Sequence, residues 1–509
     1  MQSAVLGELF AGIPLESVRG SMERSVTSIV YDSRDAREGA LFVAMDGAHT
    51  DGHRFIGDAV RRGAAAVLAS RPVGGVPGRV TLIQARGTRA LLSPLAAAFH
   101  GHPSRSLRVI GVTGTDGKSS TVWFIDQLLS RLGKKSGFLS TVSFKTGETV
   151  VKNPFRQSTP EATEIHGMLR EMADAGREYA VVEATSHGLS SKTNRLGDVI
   201  FDAAVLTNVT HEHLEFHGTF ETYRSDKANL FRALSPSTSK DVDCPRFGVV
   251  NADDPSAQYF RQCARVPVST YSGSGAAAAD LAALNAHADI TGTSFLIAHR
   301  GARAHARLRI PGPFWVENLL AACLTVSRAL CVDPLSLAPH VESLSGVRGR
   351  MDYIDRGQPF AVIVDYAHTP GAFEKLFPWV RAHTRGRITA VFGSAGERDR
   401  EKRPLQGRAA ASTCDTLILT EEDPRGEDSL AILEQIASGC QGKTRGKDLL
   451  LVPDRREAIR LAVSRAAAGD VVLLLGKGHE GSIIGALGPR EWDERAEAER
   501  ALRELGYGT

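Results

Sequence analysis

The chain has 509 residues, of which 42% are hydrophobic and 23% charged, and its formal net charge is only +3. That length calls for more than one domain and that composition for a globular protein with a real core, while so small a net charge makes no case for a nucleic-acid or membrane-surface protein. No apolar run nears the ~20 residues of a membrane helix, and the N-terminus lacks the basic start and apolar stretch of a signal peptide.

The first segment, residues 1–104, holds short strand-like runs at 28–31, 41–45, 65–69 and 80–84, with a Gly/Pro-rich stretch at 72–78. The second, 105–346, opens on the most informative feature. A β-branched run (Val109, Ile110, Val112, Thr113) reads as a buried strand and ends in Gly114-Thr115-Asp116-Gly117-Lys118-Ser119. Apolar residues then recur at Val122, Ile125, Leu128, Leu129 and Leu132, which is helical spacing, and Gly133 can end the helix. Strand, glycine-rich turn, Lys-Ser and helix is the layout of a phosphate-binding loop. Its glycines let backbone N–H groups approach phosphate oxygens, and the helix N-terminus adds partial positive charge. Lys118 would reach the β/γ-phosphates, and a Ser119 or Ser120 hydroxyl would ligate Mg²⁺. Strict spacing would put a glycine at Val112, but Gly111 and Gly114 flank that position. A turn that merely closes a βα unit is the plain alternative, and the placement of Lys-Ser after a clear strand weighs against it.

Further along, the run 179–183 ends in Glu183 and leads to Ser186-His187-Gly188. The run 203–208 leads to His211, His213 and His217. Ligands in α/β sheets sit at the carboxyl ends of strands. Glu183 and His213 beside a phosphate loop suit a metal that bridges nucleotide and substrate oxygens, against the even alternative of satisfied loop histidines. Lys227, on a helical stretch spanning 223–230, reads on its own as a surface lysine. Residues 272–286 read as Ala- and Gly-rich loop material.

The third segment, 347–509, alternates strand-like runs at 362–365, 388–392, 416–419, 449–452 and 471–475 with helical patterns, which implies an open parallel sheet. Charged stretches follow the runs at 365–370, 393–404, 421–428 and 476–480, outlining a polar cleft rather than a mere solvated rim. No internal repeat or coiled coil is present. The six scattered cysteines (Cys244, Cys263, Cys323, Cys331, Cys414, Cys440) contain no C-x-x-C pair. They argue against a zinc site or disulfide framework and for a reducing compartment. A cytoplasmic protein is expected.

Taken together these motifs resemble the Mur ligase family, closely the branch that adds the third peptide residue (the MurE type). The resemblance spans nearly the whole chain. It rests on Gly114-Thr-Asp-Gly-Lys-Ser, Ser158-Thr159-Pro160, Glu183 with Ser186-His187-Gly188, and Thr207-Asn208 through His213 to His217-Gly218. It continues through Asp226-Lys227-Ala228, Asn251-Ala-Asp-Asp254, Glu317-Asn318 and Gly349-Arg350-Met351. Asp365-Tyr-Ala-His-Thr-Pro370, Arg398-Asp399 with Lys402-Arg403-Pro404, Asp423-Pro424-Arg425 and Gly476-Lys-Gly-His-Glu480 complete it.

The resemblance implies three α/β domains: an N-terminal uridine-binding domain (1–104), a central P-loop ATPase-like domain with a mostly parallel sheet (105–346), and a C-terminal Rossmann-like domain that takes the amino acid (347–509). It implies an ATP-dependent amide ligase of peptidoglycan precursor synthesis, hence of cell-wall growth, cell shape and division. The carboxylate of UDP-MurNAc-L-Ala-D-Glu would attack the γ-phosphate of ATP, and the acyl phosphate would react with the amine of an amino acid. By the family pattern Glu183 and His213 hold one Mg²⁺, and Ser119 or Ser120 the other. Gly114, Thr115, Asp116, Gly117, Lys118, Ser119, Ser120, Asn318, Arg350 and Asp365 contact ATP. Ser33, Ser158, Thr159, Ser186 and Arg195 hold the UDP-linked substrate. Arg398, Asp423, Arg425, Gly476 and Glu480 receive the amino acid. Lys227 corresponds to a lysine carried as an N-carbamate (N6-carboxylysine), which turns a cation into a metal ligand. Small-molecule substrates and a monomer, with no nucleic acid or membrane partner, complete the expectation.

Departures from the family pattern are Asp116 for Asn, Ser119 for Thr, and Glu212 and Glu215 where Asp is more frequent. Enzymes selecting meso-diaminopimelate typically read Asp-Asn-Pro-Arg where this chain reads Glu422-Asp423-Pro424-Arg425-Gly426-Glu427-Asp428. The added acid favours a free distal ammonium, as on L-lysine or L-ornithine. A folylpolyglutamate synthase-like ligase shares the loop and fold, but the stretch 365–370 and the uridine-type N-terminus argue against it. A P-loop switch would want an Asp-ended Walker-B strand.

Overall fold

The computed structural model describes residues 3–46, 50–155, 157–210, 214–276, 278–312 and 314–508. Its contacts form two compact units. The first comprises Met1–Ala283, Ala298–Ala302 and Glu317–Leu337, and the second Leu284–Ile297, Arg303–Val316 and Ala338–Thr509.

Among the described residues, the N-terminal part of the first unit builds a sheet in the order Ser17–Arg19, Thr81–Gln84, Ala66–Ala69, Ala40–Val43, Ser28–Val30. All but the first of these strands run parallel. The four expected runs are all present, with ends shifted by a residue or two. The larger sheet carries Ser136–Leu139, Tyr179–Glu183, Arg108–Thr113, Ala203–Leu206, Phe247–Asn251 and Val268–Ser272 in that order, all parallel. Two short antiparallel strands, Ser143–Lys145 and Val151–Lys152, extend it past Ser136–Leu139. From Arg108–Thr113 the chain first moves to one side and then returns to the other. The end of this strand is therefore a topological switch point, where a crevice opens for ligands.

Val109, Ile110 and Val112 are buried on this strand, as β-branched residues suit a sheet covered on both faces. Helix Lys118–Arg131 buries Val122, Ile125, Leu128 and Leu129 completely, and Gly133 at φ +74° follows its end. Gly111 serves packing rather than the loop. A Cβ there would lie 2.5 Å from Leu230 Cδ1 and 2.9 Å from Phe201 Cε1. Helix Phe220–Arg232 thus seats directly on the strand, and Gly114 is the loop glycine.

The loop expected at 272–286 is corrected in part. Leu281–Asp289 is a strand, and Leu281 and Ala282 pair in parallel with Tyr271 and Ser272. Gly292–His299 and Ala302–Leu308 are further strands that the sequence reading missed. Alanine is a poor strand former by itself, and the neighbouring strand decides the conformation.

In the second unit a sheet runs Asp352–Ile354, Ala361–Asp365, Val471–Leu475, Ile388–Phe392, Thr416–Leu419, Leu449–Leu451, parallel except for its first strand. The five expected runs match within a residue. The antiparallel edge strand and the hairpin Ser482–Gly485/Gly488–Glu491 were not expected. Parallel order gathers the four charged loops at one edge, the carboxyl ends of the strands. Behind them a fully buried ion pair, Arg455–Glu494 at 2.6 Å, ties helix Arg455–Ser464 to helix Glu494–Glu504. Among the described residues no single helix is long and apolar enough to cross a membrane.

Candidate active site

The phosphate loop is pinned by the strand beside it. Thr115 N donates to Asn208 O at 2.8 Å, Asp116 N to Asn208 Oδ1 at 2.9 Å, and Thr207 Oγ1 to Asp116 O at 2.6 Å. Glycine is required twice. At Gly114 (φ +150°) a Cβ would lie 1.8 Å from Thr207 Oγ1, and at Gly117 (φ +80°) 2.1 Å from Asn318 Oδ1. Asn318, on helix Phe314–Leu330, is thereby placed against the loop. Gly117, at the N-cap of helix Lys118–Arg131, brings no side chain to the first N–H groups.

Two lysines converge on one carbonyl. Lys118 Nζ donates to Gly114 O at 3.1 Å and to Thr115 O at 2.6 Å. Lys227 Nζ donates to Gly114 O at 2.6 Å and lies 4.4 Å from the Tyr223 ring centroid. Lys227 is 1% exposed, which overturns the surface-lysine reading. Ser119 Oγ donates to Glu183 Oε2 at 2.7 Å, while Ser120 is buried in the helix. Glu183 also accepts from Thr141 N at 2.9 Å and Thr141 Oγ1 at 2.8 Å. His213, like His211, lies outside the described residues.

The residues expected to hold the UDP-linked substrate follow. Thr159 Oγ1 donates to Glu183 O at 3.0 Å, and Arg195 Nη1 donates to Thr159 O at 2.9 Å. Ser158, half-buried, precedes Thr159. Ser186 Oγ meets His217 Nε2 at 3.0 Å, and His217 Nδ1 meets Asp226 Oδ2 at 2.8 Å. Ser33 opens the short turn Ser33–Asp35 in the N-terminal part, where Asp32 accepts from Arg34 N. No described hydrogen bond joins Ser33 to Thr159 or Ser186. Thr141, Thr207 and Asp226 were missed as site residues, because their roles come from partners remote in sequence.

The second unit holds the rest. Asp365 ends its strand and accepts from Met351 N and Ala367 N, each at 2.7 Å. Burial pushes its carboxyl up, against the pull of Arg350. The Arg350 guanidinium sits 4.9 Å from the Tyr366 ring centroid. Arg398 is exposed. Arg425, at φ +55°, donates its backbone N–H to Ile484 O at 2.8 Å, and its Nε is buried without a partner.

Most of the acids near Arg425 already have partners within the protein. Asp423 Oδ1 accepts from Lys477 Nζ at 2.8 Å and Ile484 N at 2.9 Å. Glu480 pairs with the same fully buried Lys477. Glu427 pairs with Arg403 at 3.0 Å, and the hydrogen bond from Arg403 holds its carboxyl down at about 2. Asp428 caps helix Ser429–Ala437. Glu422 differs: it is 6% exposed and its Oε2 has no hydrogen-bond partner. Burial pushes its carboxyl up, opposed by His368, Lys402, Lys477 and Arg455. A Cβ on Gly476 (φ +99°) would lie 2.9 Å from Glu422 Oε2, so this glycine leaves room for the carboxylate.

Known proteins match this chain. Mur ligase family, catalytic domain, matches residues 25–100; Mur ligase middle domain matches 112–326; and Mur ligase, glutamate ligase domain, matches 349–478. The chain is similar to a UDP-N-acetylmuramyl-tripeptide synthetase of Roseiflexus sp., 52% identical over 491 residues, 95% of this chain and 96% of that protein. It is also similar to a UDP-N-acetylmuramoyl-L-alanyl-D-glutamate--2,6-diaminopimelate ligase of Syntrophomonas wolfei, 36% identical over 98% of this chain and 99% of that one. The solved structure of a ligase of that same name superposes with a TM-score of 0.69 at 28% identity, covering 99% of this chain and 100% of the other.

Proposed function

The chain belongs to the Mur ligase family of ATP-dependent amide ligases, and from that premise we propose that it adds a diamino acid to UDP-N-acetylmuramoyl-L-alanyl-D-glutamate, L-lysine or L-ornithine in preference to meso-diaminopimelate. One observation carries the ligase chemistry: the amines of Lys118 and Lys227 meet on the Gly114 carbonyl, beside a strand that ends in Glu183. A carboxylate is inert to amines at neutral pH, so its oxygen must become a leaving group. Its attack on ATP brings two anions together, and fixed cations lower that barrier.

The loop fits the triphosphate, since its glycines leave no side chain in the cradle and the helix start faces it. Lys118 balances phosphate charge, and Asn318, Arg350 and Asp365 are assigned to the nucleotide. The Ser119 hydroxyl and the Glu183 carboxylate form a hard oxygen pair of the kind Mg²⁺ takes, with His213 and a carbamylated Lys227 assigned beside them. Bound there, Mg²⁺ supplies neutralising charge between the reacting anions. A carbamate on Lys227 would keep one N–H for Gly114 O while adding two acceptor oxygens. Ser33, Ser158, Thr159, Ser186 and Arg195 are assigned to the UDP-linked substrate. The domain limits 104/105 and 346/347, a cytoplasmic monomer and a role in wall growth and division belong to the same reading.

For the amino acid, Arg398 and the unpartnered Nε–H of Arg425 suit the α-carboxylate. Glu422 is a buried acid of this loop whose Oε2 has no hydrogen-bond partner, and a distal ammonium would neutralise it. Phosphate release should require both the UDP-dipeptide and a diamino acid. Release without either would favour a P-loop switch, and release with a folate acceptor a folylpolyglutamate synthase-like ligase. Competition among L-lysine, L-ornithine and meso-diaminopimelate, read by product mass, tests the choice: a dominant diaminopimelate product removes the Glu422 argument and leaves the ligase standing.

A further inference from the structure

Glu161 lies at the start of helix Ala162–Asp174 and is 5% exposed. Two guanidinium groups share its carboxylate. Arg195 Nη2 donates to Oε1 at 2.9 Å, and Arg89 Nη1 lies 3.3 Å from Oε2. The neighbouring acid, Glu164, is occupied by Tyr31 Oη at 2.9 Å and Thr163 Oγ1 at 2.8 Å. Arg89, Arg195 and Glu161 by themselves carry one positive charge in excess, with the Glu164 carboxylate held by neutral donors beside them. Arg195 is 12% exposed at its side chain, and its Nε–H is buried with no acceptor. A buried unpaired donor on a cation is costly and points to a missing acceptor. The loop that carries Arg195 is fastened to helix Thr88–Phe99, which carries Arg89. Asn194 Nδ2 donates to Ala90 O at 3.0 Å and Asp198 N to Ser93 Oγ at 3.2 Å.

We propose that Glu161 is a positioning residue that holds Arg195 and Arg89 as a paired cation for the substrate carboxylate that is not activated. The proposal rests on the ligase reading above, in which the UDP-linked dipeptide ends in two carboxylates and only one reacts. The bystander must be held still for the other to meet ATP in line. Side-on pairing through Nε–H and an Nη–H is the geometry guanidinium offers a carboxylate. Glu161 fixes Nη2 and Thr159 O fixes Nη1, so the remaining N–H edge has one orientation. Arg89 gives the same carboxylate a second cation from another helix.

The test is steady-state kinetics with UDP-MurNAc-L-Ala-D-Glu varied and ATP and amino acid saturating. Glu161→Gln should raise KM for this substrate about five- to twentyfold, with kcat within about twofold. KM for ATP and for the amino acid should not move. Arg89→Met should raise the same KM about three- to tenfold. In an Arg195→Ala background Glu161→Gln should add less than about twofold, since its effect runs through Arg195. An unchanged KM in Glu161→Gln, or the same factor in both backgrounds, overturns the proposal. Should Glu161→Gln fail to fold, Glu161→Asp carries the test, with a smaller rise expected and an unchanged KM again fatal. A wild-type protein that turns over no UDP-dipeptide overturns the ligase reading instead.

Discussion

The phosphate loop and the acid-rich loop at 421–428 both lie at the carboxyl ends of parallel strands, and they are held in different ways. The phosphate loop is held through its own backbone groups by uncharged partners and two lysines: Asn208 receives Thr115 N on its carbonyl and Asp116 N on its side-chain oxygen, Thr207 Oγ1 donates to Asp116 O, and both lysines rest on carbonyls. The acid-rich loop is held by ion pairs: Lys477 joins Asp423 and Glu480, Arg403 joins Glu427, and Arg490 joins Glu421. A backbone cradle keeps its shape when a side-chain charge is removed. A buried lattice of ion pairs does not, because each deletion leaves an uncompensated charge in a poorly solvated place.

The sharpest contrast is between two lysines. Lys118→Ala should cut ligation by on the order of 10³-fold or more while the melting temperature stays put, because a cation leaves a polyanion site and no core contact goes. Lys477→Met should lose activity and also about 3–5 kcal/mol of stability, as two acids lose one buried partner. Thermal melts of the two variants side by side decide the matter: equal melting temperatures would dissolve the distinction. Next in size, Arg425→Ala should raise the amino acid KM roughly ten- to a hundredfold and leave KM for ATP alone.

Glu422 sharpens the contrast by pH. Its carboxyl is pushed above 4.5, chiefly by burial. As pH falls through that raised value, Glu422 takes up a proton and loses its hold on a distal ammonium. KM for L-lysine or L-ornithine should therefore rise at a higher pH than an ordinary glutamate would dictate, and Glu422→Gln should flatten that limb. The last effect, confined to acid pH, belongs to a site outside both loops. Burial holds the fully buried His166 down at about 3, against an ordinary 6.5. The unfolded chain gains a proton below pH 6.5 and the folded one does not, so stability falls there by up to about 1.4 kcal/mol per pH unit and levels off near 3. Urea melts of wild type and His166→Leu should diverge over that window alone.

Much of this was legible before any coordinates. The five strands of the second unit stood out as apolar β-branched runs between helical patterns, and Gly114–Ser119 stood out by its turn chemistry. Residues 281–308 did not, because alanine and polar residues take strand form there through their neighbours. At the acid-rich loop the residue types were visible and their partners within the protein were not. Asp423 and Glu427 looked available for a ligand, but their partners Lys477 and Arg403 lie 54 and 24 positions away. Spacing along a chain does not reveal which charges cancel. Ser186, His217 and Asp226 likewise form one hydrogen-bonded line that only folding assembles.

Gly111 touches no assigned ligand, yet it sets a depth. Leu230 settles where a side chain at Gly111 would stand. Lys227 is three positions earlier on the same helix, hence on the same face. Whatever lifts Leu230 off the strand lifts the Lys227 amine off the Gly114 carbonyl. In evolutionary terms this makes position 111 a closed door. A methyl group here would have to push aside the edge of the Phe201 ring and Leu230 Cδ1, the latter on the helix that carries a residue assigned to the metal. An inhibitor that crowds the phosphate loop from the Lys227 side would find no easy escape mutation at this helix, since loosening its seat and disarming the site are the same event.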